Sequence, residues 1–269
     1  MSVVRYGSPA AVTARMPSPI IWADCPVMTF LADPAKGVHL WDDFVNGPVQ
    51  ADGSIHPIWF SDVDGGCSLP NLNSEIGALV FTHDGGDNDM VGISTGGNVA
   101  GFVLTPLKGE RKRFWFETRF KVGTVTTDDI ALFAGFAAPA LNSATALMDA
   151  TTVEMVDVDY LGFFINDGDG DDLTIVYNEA TLGTAQSDTG EIALVIDTYV
   201  RVGFRLDVDS DKIHVYLDGV DQGADAEIDI TTANFPSNTK MAIYFVTQMC
   251  GGAAADTVTL DWIRFAQEY

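Results

Sequence analysis

Between Tyr199 and Val220 the chain reads YVRVGFRLDVDSDKIHVYLDGV, and apolar and polar residues alternate almost without a break. Val200, Val202, Phe204, Leu206 and Val208 share one parity, while Arg201, Gly203, Arg205 and Asp207 share the other. A period of two sends successive side chains to opposite faces of a strand, so the first set faces a core and the second faces outward. A second arm continues with Ile213, Val215 and Leu217 inward and His214 and Asp218 outward. Asp209-Ser210-Asp211-Lys212 between the arms, and Asp218-Gly219 after them, have turn chemistry, because short polar side chains bond their own backbone. The spacing predicts a hairpin in an antiparallel sheet.

The same pattern predicts strands at 77–83, 99–104, 160–166, 173–177, 192–196, 241–247 and 257–265. In Arg113 to Val122, Phe114, Phe116, Thr118 and Phe120 alternate against Trp115, Glu117, Arg119 and Lys121. Residues 130–138 are apolar on both parities, as in a central strand covered on both faces. Helical periodicity is scarce, and residues 139–150 are expected to form one short helix or a loop. Residues 1–38 stand apart. Pro9, Pro17, Pro19, Pro26 and Pro34 interrupt any period there, since proline restricts itself and its predecessor to extended or turn backbone. This segment is expected to be an extended arm ahead of a β-sandwich domain at 39–269. Its Ile20, Ile21, Trp22, Phe30 and Leu31 are too apolar for a solvated linker. The arm should therefore pack on its own sandwich or, as the expectation carried forward, on a neighbouring subunit as an assembly element.

Composition narrows the partners. At 269 residues the chain can bury a large core as one domain. Its net charge of −24 opposes binding to nucleic acid or to an anionic membrane surface and favours solubility. The acidic residues are mostly Asp, which favours turns, and this agrees with a loop-rich β protein. Cys25, Cys67 and Cys250 are scattered and odd in number, so reduced thiols and a reducing compartment are expected. No secretory signal pattern and no bilayer-length apolar run are present in the sequence.

Val202, Phe204 and Leu206, followed by Val215-Tyr216-Leu217-Asp218-Gly219 and a closing strand TLDWIRF, resemble the concanavalin A-like lectin/glucanase superfamily. The resemblance covers residues 40 to 269 and implies an all-β, antiparallel two-sheet jelly-roll sandwich. It implies little about activity, because one fold hosts lectins, glycosidases and coat components.

Candidate chemistry is sparse. Glucanases of that superfamily carry an E-x-D-x-x-E strand, and a glycosidase needs two carboxylates flanking the scissile bond. The nearest match, Glu154-Met-Val-Asp157-Val-Asp159, has the wrong spacing, with Glu154 on the opposite face of a regular strand. Asp167, Asp169 and Asp171 in the loop NDGDGDD are oxygen donors suited to calcium, although the loop lacks the EF-hand glycine and glutamate and also reads as a hairpin turn. The loop His83-Asp84-Gly-Gly-Asp87-Asn88-Asp89 is a weaker metal candidate and reads first as a surface turn. His39, His56, His83 and His214 show no zinc spacing. Lys108 to Arg113 is the lone basic run, read as edge protection or as a contact for an acidic neighbour. Trp115, on the charged parity of its strand, is the tryptophan expected to be exposed for stacking on a ligand or a subunit.

An arm, strong acidity and no catalytic pair together resemble a tailed-bacteriophage virion surface component, such as a capsid decoration protein. The expectation is a non-enzymatic structural protein that folds in the host cytoplasm and joins the virion without a signal peptide. It would form homo-oligomers, with a trimer in view, and contact other virion proteins. A lectin-like glycan-binding module or a degenerate glycoside hydrolase is the alternative.

Overall fold

The computed structural model describes residues 15–44, 58–64, 66–72, 77–86, 88–95, 112–126, 129–138, 147–149, 154–166, 172–180, 186–236, 239–250 and 256–269. Two antiparallel sheets face one another. Numbering strands along the chain, the nine-stranded sheet runs β13 (Val220–Asp221), β12 (Lys212–Leu217), β11 (Val200–Asp207), β6 (Phe114–Val122), β16 (Thr257–Glu268), β4 (Leu79–Thr82) and β3 (Ser68–Leu72). In it β1 (Gly37–Asp42) also pairs with β16, and β14 (Ile228–Asp229) with β12. The seven-stranded sheet runs β10 (Gln186–Ala193), β9 (Asp172–Asn178), β8 (Tyr160–Ile165), β7 (Ile130–Ala137), β15 (Ala242–Met249), β5 (Met90–Ser94) and β2 (Phe60–Val63). The all-β sandwich is therefore as expected from the alternation.

Inward residues of the two sheets meet in one aromatic-rich core. Phe116 lies 5.1 Å, centroid to centroid, from both Phe136 and Phe204, and Phe136 lies 5.1 Å from Phe265. These tilted and edge-on pairs add to the burial term that drives sheet-on-sheet packing. The hairpin β11–β12 pairs Phe204 with Val215 and Leu206 with Ile213, as its alternation predicts. Its successor turn has positive φ at Asp218 (47°) and Gly219 (82°), the left-handed pair that a two-residue hairpin loop requires.

Strand β16 carries a bulge. Leu260 opposes Phe120 and Trp262 opposes Arg119, leaving Asp261 as the extra residue. Leu260 and Ile263 both face the core, so the inward parity changes across the bulge.

Four expectations need correction or placement. Within the described part of the N-terminal segment, residues 15–38, Pro19–Trp22 forms a short helix α1 and Val27–Ala32 a second, α2, in place of continuous extended backbone. Pro19 is the first residue of α1 and Pro26 the N-cap of α2, positions where the missing N–H costs nothing. The strand placed at 192–196 ends at Ala193, and Val195 and Ile196 are exposed. Strand β5 was not foreseen, and residues 99–104 lie outside the described residues. Within 139–150 only 147–149 is described; Met148 there makes an isolated bridge to Met155.

Candidate functional site

The outward parity of β6, β11, β12 and β16 gathers charge. Arg113, Arg119, Lys121, Arg201, Arg205, Lys212 and Arg264 stand on this face, half of the chain's 14 Lys and Arg. Residues 15–33 of the same chain lie across it. Ile21, Trp22 and Phe30 are buried there against Trp115, Tyr216 and Ala266. Gly203 permits the close approach, since a Cβ at that position would come within 2.9 Å of Ile21 Cδ1.

Glu117 is the centre of the seam. Its carboxylate accepts Ser18 N–H at 3.0 and 3.1 Å, the Ser18 hydroxyl, and Trp22 Nε1–H at 2.7 Å. Burial pushes its pKa up, with the Ser18 and Trp22 hydrogen bonds opposing. To one side Asp261, aimed outward by the bulge, accepts from both Arg119 and Arg15. Arg119 also stacks on Tyr199, 3.8 Å from the ring centroid. To the other side Asp24 Oδ1 accepts Trp115 Nε1–H at 3.0 Å and lies 3.1 Å from Arg205 Nη1. Arg113 makes a forked pair with Glu268, at 3.0 Å from Nε and 2.6 Å from Nη2.

Arg264 closes the row. Its guanidinium sits 3.9 Å from the Trp22 centroid and 4.9 Å from the Trp41 centroid, and Nε donates to His39 Nε2 at 3.2 Å. Burial, then the neighbouring Arg264 charge, lowers the His39 pKa to about 4, so the imidazole is the neutral acceptor that this bond needs. Cys25 belongs to the segment and is partly buried, which raises its thiol to about 12 and keeps it protonated.

The segment thus has two sides. Its polar groups and Ile21, Trp22 and Phe30 are turned to the sheet, whereas Ile20, Met28 and Leu31 are 57%, 77% and 65% exposed. Trp41 beside it is 50% exposed. Of the five arm residues expected to mediate assembly, three are therefore used in the chain's own fold, and Ile20 and Leu31 remain available. Trp115 is corrected: it has the outward parity predicted, but the segment covers it completely. Periodicity identifies a face and is silent about what lies upon it. The exposed indole belongs to Trp41.

The other candidates divide. Asp167, Asp169 and Asp171 lie outside the described residues. Asp157 Oδ1 accepts Asn178 Nδ2–H at 3.1 Å and Asp159 Oδ1 accepts Ala180 N–H at 2.8 Å, so both carboxylates tie one loop to the end of β9. Asp84 accepts the backbone N–H of Gly86 within its own turn, and Asp89 accepts that of Gly66, 23 residues away. Among the described residues no group of three or more His, Cys, Asp and Glu is arranged to hold a metal, and no helix is long and apolar enough to cross a membrane. Sequence reasoning missed one pair: His83 Nδ1 lies 3.3 Å from Cys67 Sγ and Nε2 lies 2.8 Å from Thr247 Oγ1. Burial lowers His83 to about 4 and raises Cys67 to about 11, which makes a neutral, unreactive couple.

The opposite surface, the outer face of the seven-stranded sheet, is apolar. Phe133, Tyr160, Phe164 and Tyr244 are buried there with Leu147 and Met148. Among the described residues, the oxygen atoms Tyr244 Oη, Gln248 Oε1 and Asn178 Oδ1 have no hydrogen-bond partner in it.

No protein-family model matches the chain, and no curated protein matches it in sequence. Its fold is similar to that of solved concanavalin A-like sandwiches. A protein of unknown function from Shewanella oneidensis MR-1 superposes with a TM-score of 0.58 at 15% identity, over 99% of this chain and 97% of that one. Peanut lectin gives 0.55 at 13% identity, over 87% and 98%. The catalytic domain of an endo-1,3-beta-glucanase from Thermotoga petrophila RKU-1 gives 0.54 at 10%, over 85% and 96%. At such identities the likeness concerns the fold, and it spans both lectins and an enzyme.

Proposed function

We propose that this chain is a non-catalytic structural protein, a virion surface component of the capsid-decoration kind, which assembles through the outward side of its N-terminal segment. The observation that carries this reading is the orientation of residues 15–33. Their polar groups are spent on the sheet, and Ile20, Met28 and Leu31 are left in water. A segment serving only its own fold would face its apolar side chains inward; exposed apolar groups recurring along one short segment support an interaction surface. The carboxylates at 154–159 supply no competing catalytic reading, since two of them are engaged in loop bonds. A glycan-binding role has a single observation in its favour, the half-exposed Trp41 ring, one neighbour of which is already Arg264.

The test is sedimentation velocity on the full chain and on a Met28→Asp/Leu31→Asp variant. Self-association of the parent, lost in the variant with an unchanged melting temperature, is expected. A parent that stays monomeric at every concentration would sink the assembly reading. A gene neighbourhood without capsid or tail genes would count against the virion part, and sugar-specific binding lost in Trp41→Ala would replace it with the glycan role.

A further inference from the structure

Among the described residues every arginine but one holds a carboxylate. Arg15 and Arg119 share Asp261, Arg113 and Arg205 share Asp24, Arg113 also takes Glu268, and Arg201 lies 3.5 Å from Asp218. Arg264 is the exception. Its guanidinium is flanked by the Trp22 and Trp41 rings, and its hydrogen bond runs from Nε to the neutral His39. Glu117 stands directly across from it on β6, but the Glu117 oxygens accept from Ser18 and Trp22. The N–H groups on Nη1 and Nη2 have no hydrogen-bond partner among the described residues.

An empty fork is costly. A guanidinium half removed from water loses hydration that nothing among these neighbours restores to its edge. Burial draws the Arg264 pKa down, and Cys25 and Glu117 oppose that only in part. A clamp on Trp22 needs the flat face of the guanidinium and not its edge, so the ring contacts leave the fork unexplained. Trp41, paired with Arg264 across β1 and β16, is itself half-exposed. A charged fork and a partly open ring thus stand side by side.

We propose that Arg264 and Trp41 form a binding site for a carboxylate group. The fork of Nη1 and Nη2 receives its two oxygens in the guanidinium plane, and the carbon atoms that bear it lie against Trp41. The net charge of −24 selects among anions, because it opposes a phosphate dianion more strongly than a monoanion. Two sources supply this chemistry: a free organic acid with a flat apolar body, or an Asp or Glu side chain of a second copy, of which each chain carries 38. The site stands apart from the assembly reading above, and only the second source rests on it.

Isothermal titration of the full chain with benzoate tests the site, with benzamide as the uncharged isostere and inorganic phosphate at mildly alkaline pH as the dianion. Saturable benzoate binding is expected, with benzamide and phosphate at least about tenfold weaker. Arg264→Lys keeps the charge and removes the fork, and should weaken benzoate about tenfold. Trp41→Ala should weaken it severalfold while amide exchange at residues 15–33 stays as slow as in the parent, which separates a lost site from a loosened segment. No saturable binding, benzamide or phosphate binding as tightly as benzoate, or unchanged affinity in both variants overturns the inference. Sedimentation velocity then assigns the source. Self-association weakened by benzoate and by Arg264→Lys makes the carboxylate a side chain of a second copy. Benzoate binding to a parent that stays monomeric makes it a free acid, and the site then stands while the assembly reading falls.

Discussion

The sandwich has two outer faces, and each is covered by a segment of its own chain on different physical terms. On the nine-stranded sheet the cover is polar: Glu117, Asp24 and Asp261 organise Ser18, Trp22, Arg15, Arg119 and Arg205 across the seam. On the seven-stranded sheet the cover is apolar, with Leu147 and Met148 packed over Phe133, Tyr160 and Tyr244. Water can replace the polar contacts of the first cover, although Ile21, Trp22 and Phe30 add an apolar seam against Trp115, Tyr216 and Ala266. It cannot replace the second, where each Å² of apolar surface re-exposed costs about 25 cal/mol. The cover of the charged face is thus the one held in larger part by groups that water can also satisfy.

Mutations can sharpen or break this contrast. The largest effect is expected from Phe133→Ala, which empties a fully buried ring site on the apolar face: about 3–5 kcal/mol lost in urea unfolding, felt by the whole domain. A loss under about 1 kcal/mol would mean that this face is softer than its burial implies. Glu117→Ala should cost about 1–3 kcal/mol, since Ser18 and Trp22 keep buried donors with no acceptor. Here the signature is local. Amide exchange at residues 15–33 should accelerate while β7 and β15 stay protected, and uniform acceleration would erase the distinction between the covers.

Acid should separate the faces next. His39 and His83 both have folded pKa values near 4, below the ordinary 6.5, so the unfolded chain takes up protons first. Their contribution is complete above about pH 6.5 and is lost as pH falls toward 4. Glu117 works the other way, because its raised pKa means that proton uptake favours the docked segment. Melting temperature should fall between pH 6.5 and 4, with a shallower slope in His83→Gln; an unchanged slope would remove His83 from the account. The smallest effect is expected from Tyr244→Phe, which deletes a buried hydroxyl with no partner among the described residues. It should be neutral or stabilising by up to about 1 kcal/mol, and a clear loss of stability would show that the hydroxyl is satisfied.

Sheet membership was legible because alternation is a local signal: Phe114 to Lys121 and Val200 to Asp207 each announce their inward and outward sets. The β16 bulge also left a trace, since Leu260 and Ile263 break parity on either side of Asp261. Strand β5 escaped because MVGIS follows a Gly/Asp-rich turn and is too short to show a period. The site was legible only in part. The apolar content of 20–31 marked a segment that packs, but Glu117 and Ser18 stand 99 residues apart, and only the folded sheet brings them together. His83 and Thr247 are 164 apart for the same reason.

Strand β16 has a consequence for the order of events during folding. Gly37 pairs with Glu268 and Leu40 with Phe265, so the platform on which the N-terminal segment rests is completed by the most sequence-distant partners in the sheet. Closing so long a loop is slow, and contacts of this kind form late. Until β16 is in register, Asp261 and Arg264 are not yet on the face, and Arg15 and Trp22 have nothing to grip. The segment therefore docks after the sandwich has closed, and its outward apolar side chains are presented as a unit only by molecules that have already folded.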